Sequence, residues 1–186
     1  MKLRNPPLLL LLLIACVPAD DGADDDGGGV DRGIVTEDQG DGSFITVVDA
    51  RDEARWKHLD FESRAEVDAA SPAWDLGLLR FNIATRVEVA PLEGADFDAI
   101  SVAPASGYVG DGDDADPMDM ETMPGYAFDL WYAYDMTTHV LTARDVLYVV
   151  RSAEGNYFKV QLLDYYDDAG TAGYVALRWA PVSAPL

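Results

Sequence analysis

Methionine and histidine side chains concentrate in one part of this sequence. Four of the five methionines precede His139 closely in the chain, namely Met118, Met120, Met123 and Met136. An imidazole nitrogen and a thioether sulfur both serve as axial ligands of haem iron, and thioethers also bind Cu(I). The residue types are therefore compatible with an axial ligand pair, and their spacing alone does not decide the matter. The alternative is that the methionines fold back over a sheet as plugs and that His139 is a turn residue.

Three of these methionines lie in a segment that lacks the alternation of a strand. Residues 104–125 are acidic, contain several glycines and prolines, and interrupt the regular spacing of the predicted strands. Loops of this length within a compact domain are commonly functional or lack fixed structure. The segment is therefore where we expect residues that serve function rather than the core.

Several other kinds of chemistry are excluded by composition and by motif. The single Cys and the two His rule out an intramolecular disulfide, a thiolate-rich metal site and a multi-histidine site. No GxSxG, HExxH, P-loop or GxGxxG motif is present. A formal charge of −21 repels phosphate backbones. We therefore expect neither an enzyme nor a nucleic-acid-binding protein, and we expect His58 to be a surface or half-buried strand residue.

The N-terminus has the pattern of a bacterial lipoprotein signal. Lys2 and Arg4 precede an apolar run over residues 8–15, which is too short to span a bilayer and is typical of a signal peptide. The sequence LIAC over residues 13–16 then matches a lipobox, in which a small residue precedes the cysteine that receives the lipid. The pattern predicts a signal peptide over residues 1–15, the alternative being an ordinary signal peptide followed by a chance cysteine.

Lipidation of Cys16 would anchor the protein in a membrane. Val17 follows the cysteine, and the absence of Asp at this position favours the outer membrane. Residues 16–43 are acidic and glycine-rich and contain no aromatic residue before residue 44, so we expect a lipidated, flexible tether. Calcium binding by its aspartates is the alternative, but the spacing of an EF-hand loop is missing.

Residues 44–186 predict an all-β, mostly antiparallel single domain with long loops at one end and at most one short helix, over residues 62–70. The remaining pattern is one of strands separated by turn residues. Strands are predicted over residues 44–48, 56–61, 74–83 with a bulge at 77–79, and 126–134. A three-stranded meander is predicted over residues 146–151, 157–166 and 174–179, with Phe158 and Trp179 in the core.

The order of several aromatic blocks resembles that of the HmuY family of haem-binding bacterial lipoproteins. Trp56 is followed by SPAWDLGLLRFNI over residues 71–83, and WYAY over residues 131–134 comes next. LYVVRSAEGNYFKV over residues 147–160, LDYY over residues 163–166 and Gly173-Tyr174 before the final strand complete the resemblance. The similarity covers residues 56–180, which is nearly the whole of the predicted β domain.

The resemblance implies a hand-shaped all-β domain that holds haem at one end, between loops. In this family the two axial residues are His or Met, and haem passes to a TonB-dependent outer-membrane receptor. By position, one ligand falls among Met118, Met120 and Met123, and the second lies near His139. We take Met123 and His139 as the iron ligands that the resemblance implies.

This chain also departs from the family pattern. After Ile83 the family often continues with Thr-Asn-Gly-Gly, whereas this chain continues with residues 84–87, ATRV, and its acidic loop is a poor neighbour for haem propionates. An alternative function is therefore a surface interaction module of the same fold, without haem, whose acidic face docks a protein partner.

Overall fold

The computed structural model describes residues 31–112 and 125–186, and the compact unit that contains them runs over Asp31–Leu186. Within the described part, no helix is long and apolar enough to cross a membrane. The strands are β1 (Ile34–Asp38), β2 (Phe44–Asp49), β3 (Lys57–Asp60), β4 (Ala65–Glu66), β5 (Leu76–Leu79), β6 (Asn82–Thr85), β7 (Glu88–Glu93), β8 (Tyr132–Asp135), β9 (Val140–Ala143), β10 (Val146–Arg151), β11 (Tyr157–Tyr166) and β12 (Ala172–Val182). Two 3₁₀ turns cover Phe97–Ala99 and Asp129–Trp131.

Two antiparallel sheets and one separate hairpin are formed by residues 31–112 and 125–186. The larger sheet has the order β1-β2-β12-β11-β10-β7, the smaller sheet has the order β4-β3-β5-β6, and β8 pairs with β9 alone. All of these pairings are antiparallel. The predicted all-β, antiparallel class is therefore confirmed.

The predicted C-terminal meander is present and supplies much of the core. β10, β11 and β12 are neighbours in the larger sheet, and Phe158 and Trp179 are both buried, as predicted. Phe61, which follows β3 of the smaller sheet, packs against both rings, with centroids 5.2 and 4.9 Å away. Buried residues of the two sheets thus form one hydrophobic core between two layers.

The segment 74–83, predicted as one bulged strand, is a β-hairpin. β5 and β6 pair through Leu79 and Asn82, so the turn between them contains only Arg80 and Phe81. Arg80 has φ = 54°, which is the left-handed conformation that such a tight turn requires. The change in the phase of the apolar residues therefore marks a reversal of the chain and not a bulge.

The segment 126–134, predicted as one strand, begins with irregular structure. The 3₁₀ turn Asp129–Trp131 buries Trp131, whose indole nitrogen donates a 2.8 Å hydrogen bond to the carbonyl oxygen of Phe81. Only the last residues of the segment form strand β8. The alternation of aromatic residues therefore does not indicate a strand over the whole segment. Trp131 is buried in the core, where its indole N–H has a hydrogen-bond partner.

The short helix predicted over residues 62–70 is absent, and strand β4 with adjoining turns takes its place. The Asp60 carboxylate accepts hydrogen bonds from the backbone N–H groups of Glu62 and Ser63. Arg64 has φ = 60°. A side chain that satisfies the backbone in this way stabilises a turn in competition with a helix.

The folded unit begins before the predicted domain boundary at residue 44. β1 lies inside the segment 16–43, which was predicted as tether, and it pairs along its full length with β2. Asp31 forms a salt bridge of 2.5 Å with Lys57, whose side chain is fully buried. The β-branched residues of β1 form a strand in spite of the acidic composition that surrounds them.

Candidate ligand site at the β8–β9 hairpin

The β8–β9 hairpin carries the one predicted ligand that lies within the described residues, His139. Four residues, 136–139, connect its two strands. The backbone N–H of Leu141 donates a 3.0 Å hydrogen bond to the hydroxyl of Tyr166 in β11. The N–H of Arg144 donates a 2.9 Å bond to the carbonyl oxygen of Trp131. The hairpin is therefore attached to the larger sheet at its base and is exposed at its tip.

Aromatic rings form the base of this hairpin. The Tyr132 ring lies 5.7 Å from Phe81 and 5.1 Å from Trp131, and Tyr165 lies 6.4 Å from Phe81. These edge-to-face arrangements are favourable for aromatic pairs. They give the exposed tip a fixed support.

The turn at the tip is held by Asp135 and by the backbone of His139. The N–H of His139 donates a 2.8 Å hydrogen bond to the carbonyl oxygen of Asp135. The Asp135 carboxylate accepts hydrogen bonds from the N–H groups of Thr137 and Thr138, which lower its pKa. His139 closes the turn with φ = 58°. This conformation is uncommon for a residue with a side chain, although His is among those that tolerate it.

His139 folds back onto Tyr134. The Tyr134 hydroxyl lies 2.5 Å from Nδ1 of His139, and the two ring centroids are 5.9 Å apart. Within the described part of the chain, Nε2 of His139 has no hydrogen-bond partner. Met136 is 76% exposed and Tyr134 is 45% exposed. The tip thus presents one ring nitrogen, one thioether and apolar surface to solvent.

The segment that carries the other predicted ligands starts and ends at one place. The N–H of Gly112 donates a 2.6 Å hydrogen bond to the carbonyl oxygen of Gly125. The Asp111 carboxylate accepts hydrogen bonds from the N–H groups of Thr85 and Ala127, at 2.7 and 2.8 Å. The two ends are therefore fastened to each other and to β6. Met118, Met120 and Met123 fall between them, outside the described residues, as does Cys16 near the N-terminus.

Two partly buried carboxylates lie where this segment meets the fold. Burial raises the pKa of Asp111. Burial, together with the charge of Asp111, raises the pKa of Asp129 to about 6. With a pKa of about 6, Asp129 is mostly ionised at pH 7, so this region is unfavourable for anions and becomes less so as Asp129 is protonated.

A second carboxylate cluster, formed by Asp60, Glu62 and Glu154, lies away from the hairpin, with its oxygens within 4.8 Å of one another. Burial alone would raise the pKa of Glu62, but hydrogen bonds from Ser152 and Asn156 lower it. Burial and the neighbouring Glu62 raise the pKa of Glu154. Glu62 and Glu154 interact with each other, so their titrations are linked.

The remaining sequence candidates lie elsewhere. His58 is half-buried in β3, as predicted, and its ring packs 4.9 Å from Trp74. Burial and the charge of Arg86 lower its pKa. Among the described residues, one open surface cavity of about 500 Å³ lies beside Arg151, and another of about 500 Å³ lies beside Tyr174 and is also lined by Tyr166, which is bonded to the hairpin. The sequence reasoning missed the partnership of Tyr134 with His139, for which a Tyr five residues before a His in a strand-turn pattern was the available signal.

The comparison with protein families decides the identity of the fold. A family profile described as HmuY protein matches residues 52–179. The chain belongs to the HmuY family. The resemblance to the HmuY family found in the aromatic blocks is therefore confirmed.

Solved structures agree with membership of the HmuY family. A protein of Bacteroides vulgatus, described as HmuY-like and heme-binding, has a TM-score of 0.62 and 21% identity, covering 80% of this chain and 96% of that one. The apo HmuY analog of Tannerella forsythia has a TM-score of 0.61 and 16% identity, covering 83% and 99%. A Bacteroides fragilis protein described as a lipoprotein has a TM-score of 0.62 and 20% identity, covering 80% and 94%. At these identities the likeness establishes the shared fold. A comparison with curated protein sequences finds no match.

Proposed function

We propose that this protein binds haem at the β8–β9 hairpin, with Nε2 of His139 as one axial ligand. The observation that carries the proposal is the state of His139, which is exposed while its Nδ1 is engaged by Tyr134 and its Nε2 is free of hydrogen bonds within the described residues. Membership of the HmuY family and the heme-binding description of the B. vulgatus protein support it.

The residues at the tip fit such a ligand. A neutral imidazole nitrogen and a thioether are both suitable donors for haem iron. The exposed rings and side chains of Tyr134, Met136 and Val140 offer apolar surface of the kind that a porphyrin face can cover. When bound, haem would supply an iron with two axial positions, and the protein's part is to occupy them and to shield the ring from water.

The second axial ligand is proposed to come from Met118, Met120 or Met123, with Met123 the first choice. The proposal rests on the resemblance to the HmuY family, and the hydrogen bond of Gly112 with Gly125 shows that the methionine-containing segment leaves and rejoins the fold at one point. With one imidazole and one thioether bound, both axial positions of the iron would be occupied and no position would be left for a substrate. We accordingly propose capture and transfer, and no catalysis.

The cellular role follows from the N-terminal signal. We propose that Cys16 carries the lipid, that the anchor lies in the outer membrane, and that haem is passed to a TonB-dependent receptor. The lipobox over residues 13–16 and Val17 support the anchor. A receptor that copurifies with the haem-loaded protein, and less well with the haem-free protein, would support the transfer.

The binding test is a hemin titration of the purified domain, followed by absorbance in the Soret region. Wild type is expected to give a sharp, displaced, low-spin spectrum, and His139→Ala is expected to abolish it. His58→Ala is the matched control because His58 is the only other histidine in the chain, and it should bind as wild type does. Met→Leu changes at residues 118, 120, 123 and 136 keep the side-chain volume nearly constant, so a lost spectrum reports the sulfur.

The proposed site is wrong if His139→Ala and the triple Met→Leu variant of residues 118, 120 and 123 both bind hemin like wild type. If wild type itself leaves the hemin spectrum unchanged, the alternative takes precedence. In that case the exposed tip, with Tyr134, Met136 and Val140, is a docking surface for a protein partner, since exposed apolar groups rimmed by acidic residues are typical of such surfaces.

A further inference from the structure

The hydrogen bond between Tyr134 and His139 joins two exposed side chains, and the backbone of His139 is in an uncommon conformation. His139 adopts φ = 58°, a region that Gly or Asn would occupy with less strain. A hydrogen bond between exposed groups competes with water and contributes little to stability. The pairing is therefore poorly explained as a stabilising device. It places an imidazole ring at a defined position and in a defined orientation.

The two nitrogens of a neutral imidazole have different roles, because one carries the proton and the other carries the lone pair. If Nδ1–H donates a hydrogen bond to the Tyr134 oxygen, the lone pair is on Nε2. This nitrogen faces away from Tyr134 and can bind a metal. If the Tyr134 hydroxyl donates to Nδ1, then Nε2 carries the proton and cannot bind one. Histidines that bind metals almost always donate the N–H of their other nitrogen to an oxygen.

Resting on the haem-binding function proposed above, we propose that Tyr134 is a positioning residue for the iron ligand His139. Its hydroxyl oxygen accepts a hydrogen bond from the Nδ1–H group of His139. This bond fixes the tautomer that has its lone pair on Nε2 and holds the ring in one plane. Tyr134 does not contact the iron and acts only through His139.

The backbone makes Tyr134 suitable for this role. Tyr134 is in β8, where it pairs with Leu141, and the N–H of Leu141 is bonded to the hydroxyl of Tyr166 in the larger sheet. The acceptor for His139 is thus placed by a strand that is attached to the domain and not by the turn itself. Groups on regular elements hold a ligand more rigidly than groups on loops do.

The test uses Tyr134→Phe in the whole protein, which keeps the ring and removes the hydroxyl. Tyr132→Phe is the matched control, since Tyr132 is in the same strand and its ring packs on Phe81 and Trp131 at the base of the hairpin. The first measurement is made without hemin, by long-range ¹H–¹⁵N NMR of the imidazoles at about pH 8, where histidine is normally neutral. His58→Ala assigns the two histidines.

Wild type and Tyr132→Phe are expected to carry the His139 proton on Nδ1, whereas Tyr134→Phe should carry it largely on Nε2. In the second measurement, hemin affinity should fall about 10- to 100-fold in Tyr134→Phe. It should stay within about threefold of wild type in Tyr132→Phe. The residual complex of Tyr134→Phe should keep the spectrum of an imidazole ligand, because Tyr134 is not itself the ligand.

Three results would overturn this assignment. The first is a wild-type protein with the His139 proton on Nε2, and the second is a Tyr134→Phe variant that binds hemin as tightly as wild type. The third is a complex in which Tyr134→Phe changes the spectrum to that of a different axial ligand, which would make Tyr134 the ligand. Absence of hemin binding by wild type, with the proton on Nδ1, instead refutes the proposed function, and the positioning role falls with it.

Discussion

The carboxylate of Asp75 accepts a 2.8 Å hydrogen bond from the backbone N–H of Ala153, 78 residues further along the chain. Its other oxygen accepts one from the N–H of Phe61 at 3.0 Å. Asp75 thus joins the smaller sheet to the turn between β10 and β11. The side chain is fully buried, and this burial raises its pKa to about 7, with the charges of Glu62 and Asp60 acting in the same direction.

Asp75 should make stability fall as the pH rises through neutrality. Its pKa in the folded state, about 7, is above the ordinary value of 3.8. The folded state therefore binds this proton more tightly than the unfolded state does. The resulting stabilisation is fully present below about pH 3.8 and is lost as the pH rises through 7. Between pH 5 and 8 the loss should be roughly 2–3 kcal/mol, measured by urea denaturation.

The comparison of wild type with Asp75→Asn isolates this contribution. Asn cannot ionise, so the stability difference between wild type and the variant should shrink or change sign as the pH rises. Asp145→Asn, at an exposed position, is the control and should follow wild type at every pH. A constant difference between wild type and Asp75→Asn from pH 5 to 8 would mean that Asp75 is charged throughout.

Substitution of Gly173 and of Gly170 by Ala distinguishes the effect of a steric clash from that of backbone strain. Both have positive φ, 94° and 81°. A Cβ at Gly173 would lie 2.7 Å from Cγ and 3.2 Å from Cα of Arg51, whereas a Cβ at Gly170 would meet nothing within 4 Å. Gly173→Ala should therefore lose about 1–3 kcal/mol more than Gly170→Ala does. Equal losses in urea denaturation would show that Arg51 can move aside.

Phe158 is expected to be one of the most sensitive core positions. It is 7% exposed and packs against Phe61 and Trp179. Phe158→Ala should lower the free energy of unfolding by about 3–5 kcal/mol. Leu163→Ala, in the same strand but 40% exposed, should change it by only about 0.5 kcal/mol. A Phe158→Ala variant with an unchanged melting temperature would contradict the role of the meander in the core.

Cys16→Ala should prevent stable attachment to the membrane. Without the thiol no lipid can be added, so the uncut precursor should accumulate or the protein should be released from the membrane fraction. One acyl chain gives only marginal binding, while two or more give stable anchoring. Val17→Asp should keep the lipid but shift the protein to the inner membrane. Fractionation and immunoblotting measure both effects. Normal processing and membrane retention of Cys16→Ala would refute the lipobox.

Reduction of bound hemin should tighten its binding if a methionine is one of the ligands. Thioether ligation raises the potential of haem iron and so favours the ferrous state. The Met→Leu variant that loses the spectrum should also lose this preference. A spectroelectrochemical titration of wild type and of each single variant at residues 118, 120 and 123 measures it directly. Equal potentials in all of them would exclude Met118, Met120 and Met123 as ligands.

Sequence reasoning succeeded where the local pattern and the tertiary role of a residue agree. In β10, β11 and β12 the alternation and the turn residues point the same way, and Phe158 is buried as predicted. It failed where a long-range contact decides. Trp131 leaves the strand pattern to bond with Phe81, and the left-handed turn at Arg80 converts an apparent strand into a hairpin.

The candidate site shows the same division. His139 could be singled out from residue type and position alone. Its pairing with Tyr134 depends on the length of the connection between β8 and β9 and on the positive φ that ends it. The five-residue spacing of Tyr134 and His139 is visible in the sequence, but the positive φ is not, since His occupies a position that usually favours Gly or Asn.

The salt bridge of Asp31 with the buried Lys57 fixes the point where the chain enters the folded domain, and so limits the distance between the domain and the membrane. With the lipid proposed at Cys16, only the fourteen residues 17–30 separate the membrane from this fixed point. However they are arranged, they can extend at most about 3.4 Å each, so Asp31 stays within roughly 50 Å of the lipid. Confinement to such a volume corresponds to an effective concentration in the millimolar range for a receptor alongside. A receptor of the kind proposed above would then need only a weak affinity for the domain while the two are adjacent in the membrane.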